Sequence, residues 1–117
     1  MKISPKIQNQ LSQFEQVRQQ LQLLTTQRIQ VESQIRELDS AIAELGKDSK
    51  KKKDVYRRVG SLLVKVDDVP GLKKDLSEQK ETYDIRLQTL ERQEKQLKER
   101  YSELQQEISK AVQGLED

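Results

Sequence analysis

Residues 54–67 read DVYRRVGSLLVKVD, and this stretch separates a plain helical hairpin from a chain built to assemble. It is rich in Val, Leu and Tyr, with Gly60-Ser61 at its centre; a glycine followed by serine suits the two central positions of a type II′ turn. Pairing Val59 with Leu62 across that turn also pairs Arg57 with Val64 and Val55 with Val66. Those six side chains share a face, because side chains alternate along a strand, and five of them are apolar. The opposite face carries Tyr56, Arg58, Leu63 and Lys65. A lone ribbon with one apolar face and two open edges is marginally stable in water. Since the chain holds one such hairpin, the spacing predicts that other chains supply the remaining strands. The alternative is a ribbon lying back on its own helices, which offer no spare apolar face there.

Working outward, the segment before the ribbon is a coiled-coil helix. From Ile7 to Leu45 one heptad position takes Ile7, Phe14, Leu21, Ile35 and Ile42, and another takes Val17, Leu24, Val31, Leu38 and Leu45. Only Gln10 and Arg28 break the pattern, so ten of twelve seam positions are apolar. Ser4 is placed to cap the first turn with Pro5 just inside it, and Gly46 follows the last seam leucine as a stop. This predicts a helix over residues 4–45, roughly 60 Å long at 1.5 Å per residue. Arg28 is read as an arginine that packs its stem and snorkels its charge to water; an ion pair with Glu91 or Glu94 is the alternative.

The segment after the ribbon repeats the theme. Leu76, Tyr83, Leu90, Leu97, Leu104 and Ala111 recur every seven residues, with Leu87, Tyr101 and Ile108 on a companion stripe that also holds Lys73, Lys80 and Glu94. Asp67-Asp68-Val69-Pro70-Gly71 supplies acids and a proline where a helix begins. The expectation is a loop over 67–70 and a helix over 71–113, ending at Gly114. Two helices of matched length joined by a returning connection imply an antiparallel hairpin. Residues 46–54 read as a basic loop containing Lys50-Lys51-Lys52-Lys53.

Composition agrees with a narrow seam rather than a globular core. Only 32% of the 117 residues are hydrophobic and 3% aromatic, while 36% are charged. The net charge is +2, with opposite charges interspersed, so the chain does not read as a polyanion binder. The four-lysine run lacks the aromatic neighbours that stack on bases and is read as a solvated loop; neither nucleic acid nor membrane is expected as a partner. No apolar run reaches the length of a bilayer span, and the start lacks a signal peptide's apolar segment, so a soluble, cytoplasmic protein is expected. With no His and no Cys, no phosphate-binding glycine loop and carboxylates scattered on solvated faces, the chain offers no catalytic or metal site. An enzyme is not expected.

In the order helix, VYRRVGSLLVKV hairpin, helix with LERQEKQLKERYSELQQEI, nearly the whole chain resembles the prefoldin family. The Val-Tyr, central Gly and Leu-Val-Lys-Val elements of residues 55–66 look like that family's β-subunit hairpin, and one hairpin rather than two implies the β class. The resemblance implies a single domain over 1–117 and a hexamer of four β-class and two α-class subunits around a double β-barrel. Its function would be ATP-independent holding of unfolded proteins and their delivery to a group II chaperonin, without a cofactor. Val55, Val59, Leu62, Val64 and Val66 would then be the assembly face. Clients would bind at the free helix ends, where an antiparallel hairpin brings Ile3, Ile7, Leu11 and Phe14 near Ile108, Ala111, Val112 and Leu115. Ile3, Leu11 and Val112 exceed what two helices need to pair, whereas Ile7, Phe14 and Ile108 also close the seam. The competing reading is a structural or tethering coiled-coil scaffold.

Overall fold

The structure is a computed structural model that describes residues 3–46 and 54–116, with the side chains of 115 and 116 left aside. The element order is α1 (Pro5–Gly46), β1 (Tyr56–Val59), β2 (Leu62–Lys65) and α2 (Val69–Glu116). The lysine run Lys50–Lys53 lies outside the described residues.

Local chemistry sets where the helices begin. Ser4 caps α1: its Oγ accepts the Ile7 N–H at 3.2 Å, and its carbonyl accepts the Gln8 N–H at 3.0 Å. Pro5 opens the helix at a position whose N–H has no intrahelical acceptor, so the missing donor costs nothing. Asp68 does the same for α2, its Oδ1 accepting the Gly71 N–H at 3.0 Å and its carbonyl the Leu72 N–H at 3.1 Å. Glycine at 71 belongs to this cap, because a β-carbon there would collide with the Asp68 carboxylate. With Asp68 as the capping residue, α2 starts at Val69 rather than Gly71. It also runs through Gly114 to Glu116, instead of stopping at Gly114. That glycine lacks the positive φ by which glycines terminate helices.

The chain divides into two compact units, Met1–Gln30 with Leu87–Asp117, and Val31–Arg86. In the first unit the segments of α1 and α2 run antiparallel: Arg100 Nη2 donates to Gln13 Oε1 at 3.4 Å, while Arg28, further along α1, meets Glu94, earlier in α2. The core is the predicted seam. Ile7, Leu90 and Leu104 are buried, Leu104 at 0% exposure, and Phe14, Val17, Leu21, Leu24, Leu87, Leu97, Tyr101 and Ile108 are half-buried around them. The rings of Phe14 and Tyr101 lie tilted with centroids 4.6 Å apart, a geometry that aromatic pairs favour.

The heptad breakers of this unit have distinct fates. Glu94, on the companion stripe, is 4% exposed; it pairs with Arg28 Nε and accepts the Thr25 hydroxyl at 3.2 Å. The snorkelling reading of Arg28 is thus overturned. A carboxylate held this far from water needs a cation beside it, and the guanidinium stays to serve it. Gln10, the other breaker, is half-buried with its Oε1 buried and without a hydrogen-bond partner among the described residues.

The second unit repeats the antiparallel arrangement around Val31, which is buried, with Ile35, Leu38, Ile42, Leu45, Leu76 and Tyr83 half-buried. Lys80, at a seam position, pairs with Asp39 at 2.6 Å. That hydrogen bond holds the Lys80 ammonium above its ordinary pKa; both groups keep substantial contact with water, so the pair contributes little to stability.

Candidate functional site

Strands β1 and β2 pair antiparallel in the register Tyr56↔Lys65, Arg57↔Val64, Arg58↔Leu63 and Val59↔Leu62. Beyond the strands, the Val66 N–H donates to the Val55 carbonyl at 2.8 Å, continuing the same alignment. The turn requires its glycine. Gly60 has φ 61° and no non-glycine residue among those described has positive φ, which is the pattern of a type II′ turn. Arg58 Nε donates to the Gly60 carbonyl at 3.1 Å and braces the turn from the side. Lys65 lies 3.8 Å from Asp54 at the ribbon's base.

The alignment puts Val55, Arg57, Val59, Leu62, Val64 and Val66 on one face, as the sequence predicts. Val55 and Val66 are half-buried, whereas Val59, Leu62 and Val64 are 56%, 66% and 49% exposed. Side chains of this kind each gain about 1.5–3 kcal/mol on full burial, so the face holds unused driving force. Among the described residues no third strand pairs with either edge. The other face exposes Tyr56 and Leu63 between Arg58 and Lys65, a mixture in which charge offsets the apolar area.

The residues expected at the helix ends lie in the first unit and divide into two sets. Ile7 is buried, and Phe14, Ile108 and Ala111 are half-buried in the seam. Ile3, Leu11 and Val112 are exposed; the side chain of Leu115 lies outside the described residues. Leu23 and Ile29 are exposed as well. Sequence reasoning passed over both, and their one signal was that they fall off both stripes of the heptad.

Among the described residues no group of three or more His, Cys, Asp or Glu is placed to hold a metal ion, and no helix is long and apolar enough to cross a membrane. The elements themselves define a class: a coiled-coil hairpin with a two-stranded ribbon between its helices, one face of which is apolar and exposed. Comparison with known proteins gives that class its name. The family described as Prefoldin subunit matches residues 8–115. Prefoldin subunit beta of Archaeoglobus fulgidus is 44% identical over 106 residues, covering 91% of this chain and 90% of that one. The counterpart from Thermoplasma volcanium is 42% identical over 106 residues, covering 91% and 85%. The crystal structure of the prefoldin beta subunit from Thermococcus strain KS-1 matches with a TM-score of 0.80 at 37% identity, over 94% of this chain and 95% of that chain. The chain belongs to the prefoldin family, as a β-class subunit. It is a chaperone component and not an enzyme.

Proposed function

We propose that this chain, acting as one prefoldin-like domain over residues 1–117, is one of four β-class subunits that join two α-class subunits in a cytoplasmic hexamer. Its ribbon contributes two strands to a double β-barrel shared between subunits, and its helices form one of six arms. The hexamer holds unfolded proteins without nucleotide and passes them to a group II chaperonin. The observation that carries this reading is the uncovered face of Val59, Leu62 and Val64, because strands from neighbouring subunits bury such a face and satisfy its open edges together. A spacer coiled coil gains nothing from that ribbon.

Holding is assigned to the arm ends, where Ile3, Leu11 and Val112 are exposed and Ile7, Phe14, Ile108, Ala111 and Leu115 complete the apolar set. Each end grips weakly, and several arms engaging one client multiply the affinity by avidity. Native mass spectrometry with and without an α-class partner tests assembly. Two α-class and four of these chains in one complex is the expected composition; a chain that stays apart from every α-class partner overturns it.

A further inference from the structure

The cluster of buried Glu94 with half-buried Arg28 and Thr25 has no part in the proposed assembly face or arm ends, and it interrupts the apolar seam of the first unit where Leu24, Leu90 and Leu97 flank it in sequence. Glu94 is almost wholly withdrawn from water, its carboxylate meeting Arg28 on one oxygen and Thr25 on the other. Replacing a buried ion pair by well-packed apolar side chains is commonly neutral or stabilising. Adhesion between the helices therefore does not account for it.

The apolar stripes leave a problem that such a layer solves. Leu21, Leu24, Val31, Ile35 and Leu38 on α1, and Tyr83, Leu87, Leu90, Leu97 and Leu104 on α2, repeat every seven residues. Sliding one helix past the other by a heptad, about 10 Å at 1.5 Å per residue, sets leucine against leucine again. The apolar contacts barely distinguish such alignments; Arg28 and Glu94 do. After a slide of one heptad the carboxylate faces an apolar layer and the guanidinium is about two helical turns away, leaving a buried charge unpaired. Association of two copies in parallel register fails for a related reason. An α1 pair opposes Arg28 to Arg28, and an α2 pair opposes Glu94 to Glu94.

We propose that the Arg28–Glu94–Thr25 layer is a pairing selector, which gives up stability to fix one antiparallel alignment of α1 with α2 and to exclude shifted and copy-to-copy pairings. A single buried polar position is known to set register and partner in coiled coils generally.

The test uses the full chain, which contains no cysteine, so spin labels attach only where cysteines are introduced. Labels at Gln16→Cys and Gln105→Cys, both exposed positions in the first unit, report the alignment as a distance distribution. Three backgrounds are compared: the native layer, Arg28→Leu with Glu94→Leu, and the exchange Arg28→Glu with Glu94→Arg. The expected result is one narrow distance for the native layer. The double-leucine chain should melt at the same or a higher temperature, yet show a second distance population or a larger mass by light scattering. The exchanged pair should return to one distance. A double-leucine chain with one native-like distance and native mass overturns the proposal, as does one that melts well below the native chain. An exchanged chain that folds but shows several distances also overturns it, and this arm stands whatever the leucine variant does.

Discussion

Glu94 and Arg28 form one ion pair but are unequally placed, and that inequality makes a prediction. Glu94's side chain is 5% exposed and Arg28's 26%. Arg28→Leu leaves a nearly buried carboxylate without its guanidinium, with Thr25 as its remaining neighbour of the layer, and should cost about 3–5 kcal/mol. Glu94→Leu leaves an arginine that already touches water and can swing its guanidinium out along its stem, so the loss should be clearly smaller. Thermal unfolding followed by circular dichroism orders the two, and equal melting temperatures would contradict the asymmetry. Gly60 poses a simpler case: at φ 61° with open space where a β-carbon would stand, Gly60→Ala suffers only backbone strain. It should weaken the ribbon by about 1–2 kcal/mol, read as faster amide exchange at Leu62 and Val64, whose N–H groups face β1, in the isolated chain. The type of turn was legible from Gly60-Ser61 alone. Which partner Arg28 takes was not, because spacing gives alignment only to the nearest heptad and says nothing of how deeply Glu94 is buried.

At the scale of elements, the stripes carry the stability and their period is what the sequence displays most clearly. Nearly every position that the sevenfold pattern assigns to the seam is buried or half-buried, with Lys73 a clear exception. Leu104 and Leu23 separate seam from surface within one unit. Leu104→Ala should destabilise by about 2–5 kcal/mol, whereas Leu23→Ala, at a side chain 59% exposed, should change stability by no more than about 0.5 kcal/mol. Similar melting temperatures for the two would refute the seam. Helix starts were readable because Ser4-Pro5 and Asp67 to Gly71 carry explicit capping chemistry, although the exact first residue of α2 depended on which aspartate caps. The far end was misread at Gly114. A glycine marks a terminus only when its backbone turns left-handed, and sequence does not report φ.

At the scale of the whole molecule, assembly and holding are assigned to different surfaces, the ribbon in one compact unit and the helix ends in the other. Each surface should therefore fail without the other. For the ribbon, Leu62 is a better site than Val64, since Val64 pairs across the strands with Arg57, which would neutralise an introduced carboxylate. Leu62→Asp faces Val59 instead, and burying that charge in a shared barrel should cost several kcal/mol, roughly 3 or more. The chain should remain helical by circular dichroism while native mass spectrometry finds no hexamer. The converse variant replaces Ile3, Leu11 and Val112 by Ser, three apolar side chains that are exposed in the chain. The seam residues Ile7, Phe14, Leu104 and Ile108 stay in place, so folding and hexamer mass should be unchanged. What should fall is the protection of a chemically unfolded client against aggregation, measured as turbidity on dilution into native or variant hexamer at equal concentration. Because several weak grips act together, mixed hexamers should lose protection steeply rather than in proportion as variant arms replace native ones. Full protection by an intact variant hexamer would move client binding away from these three residues.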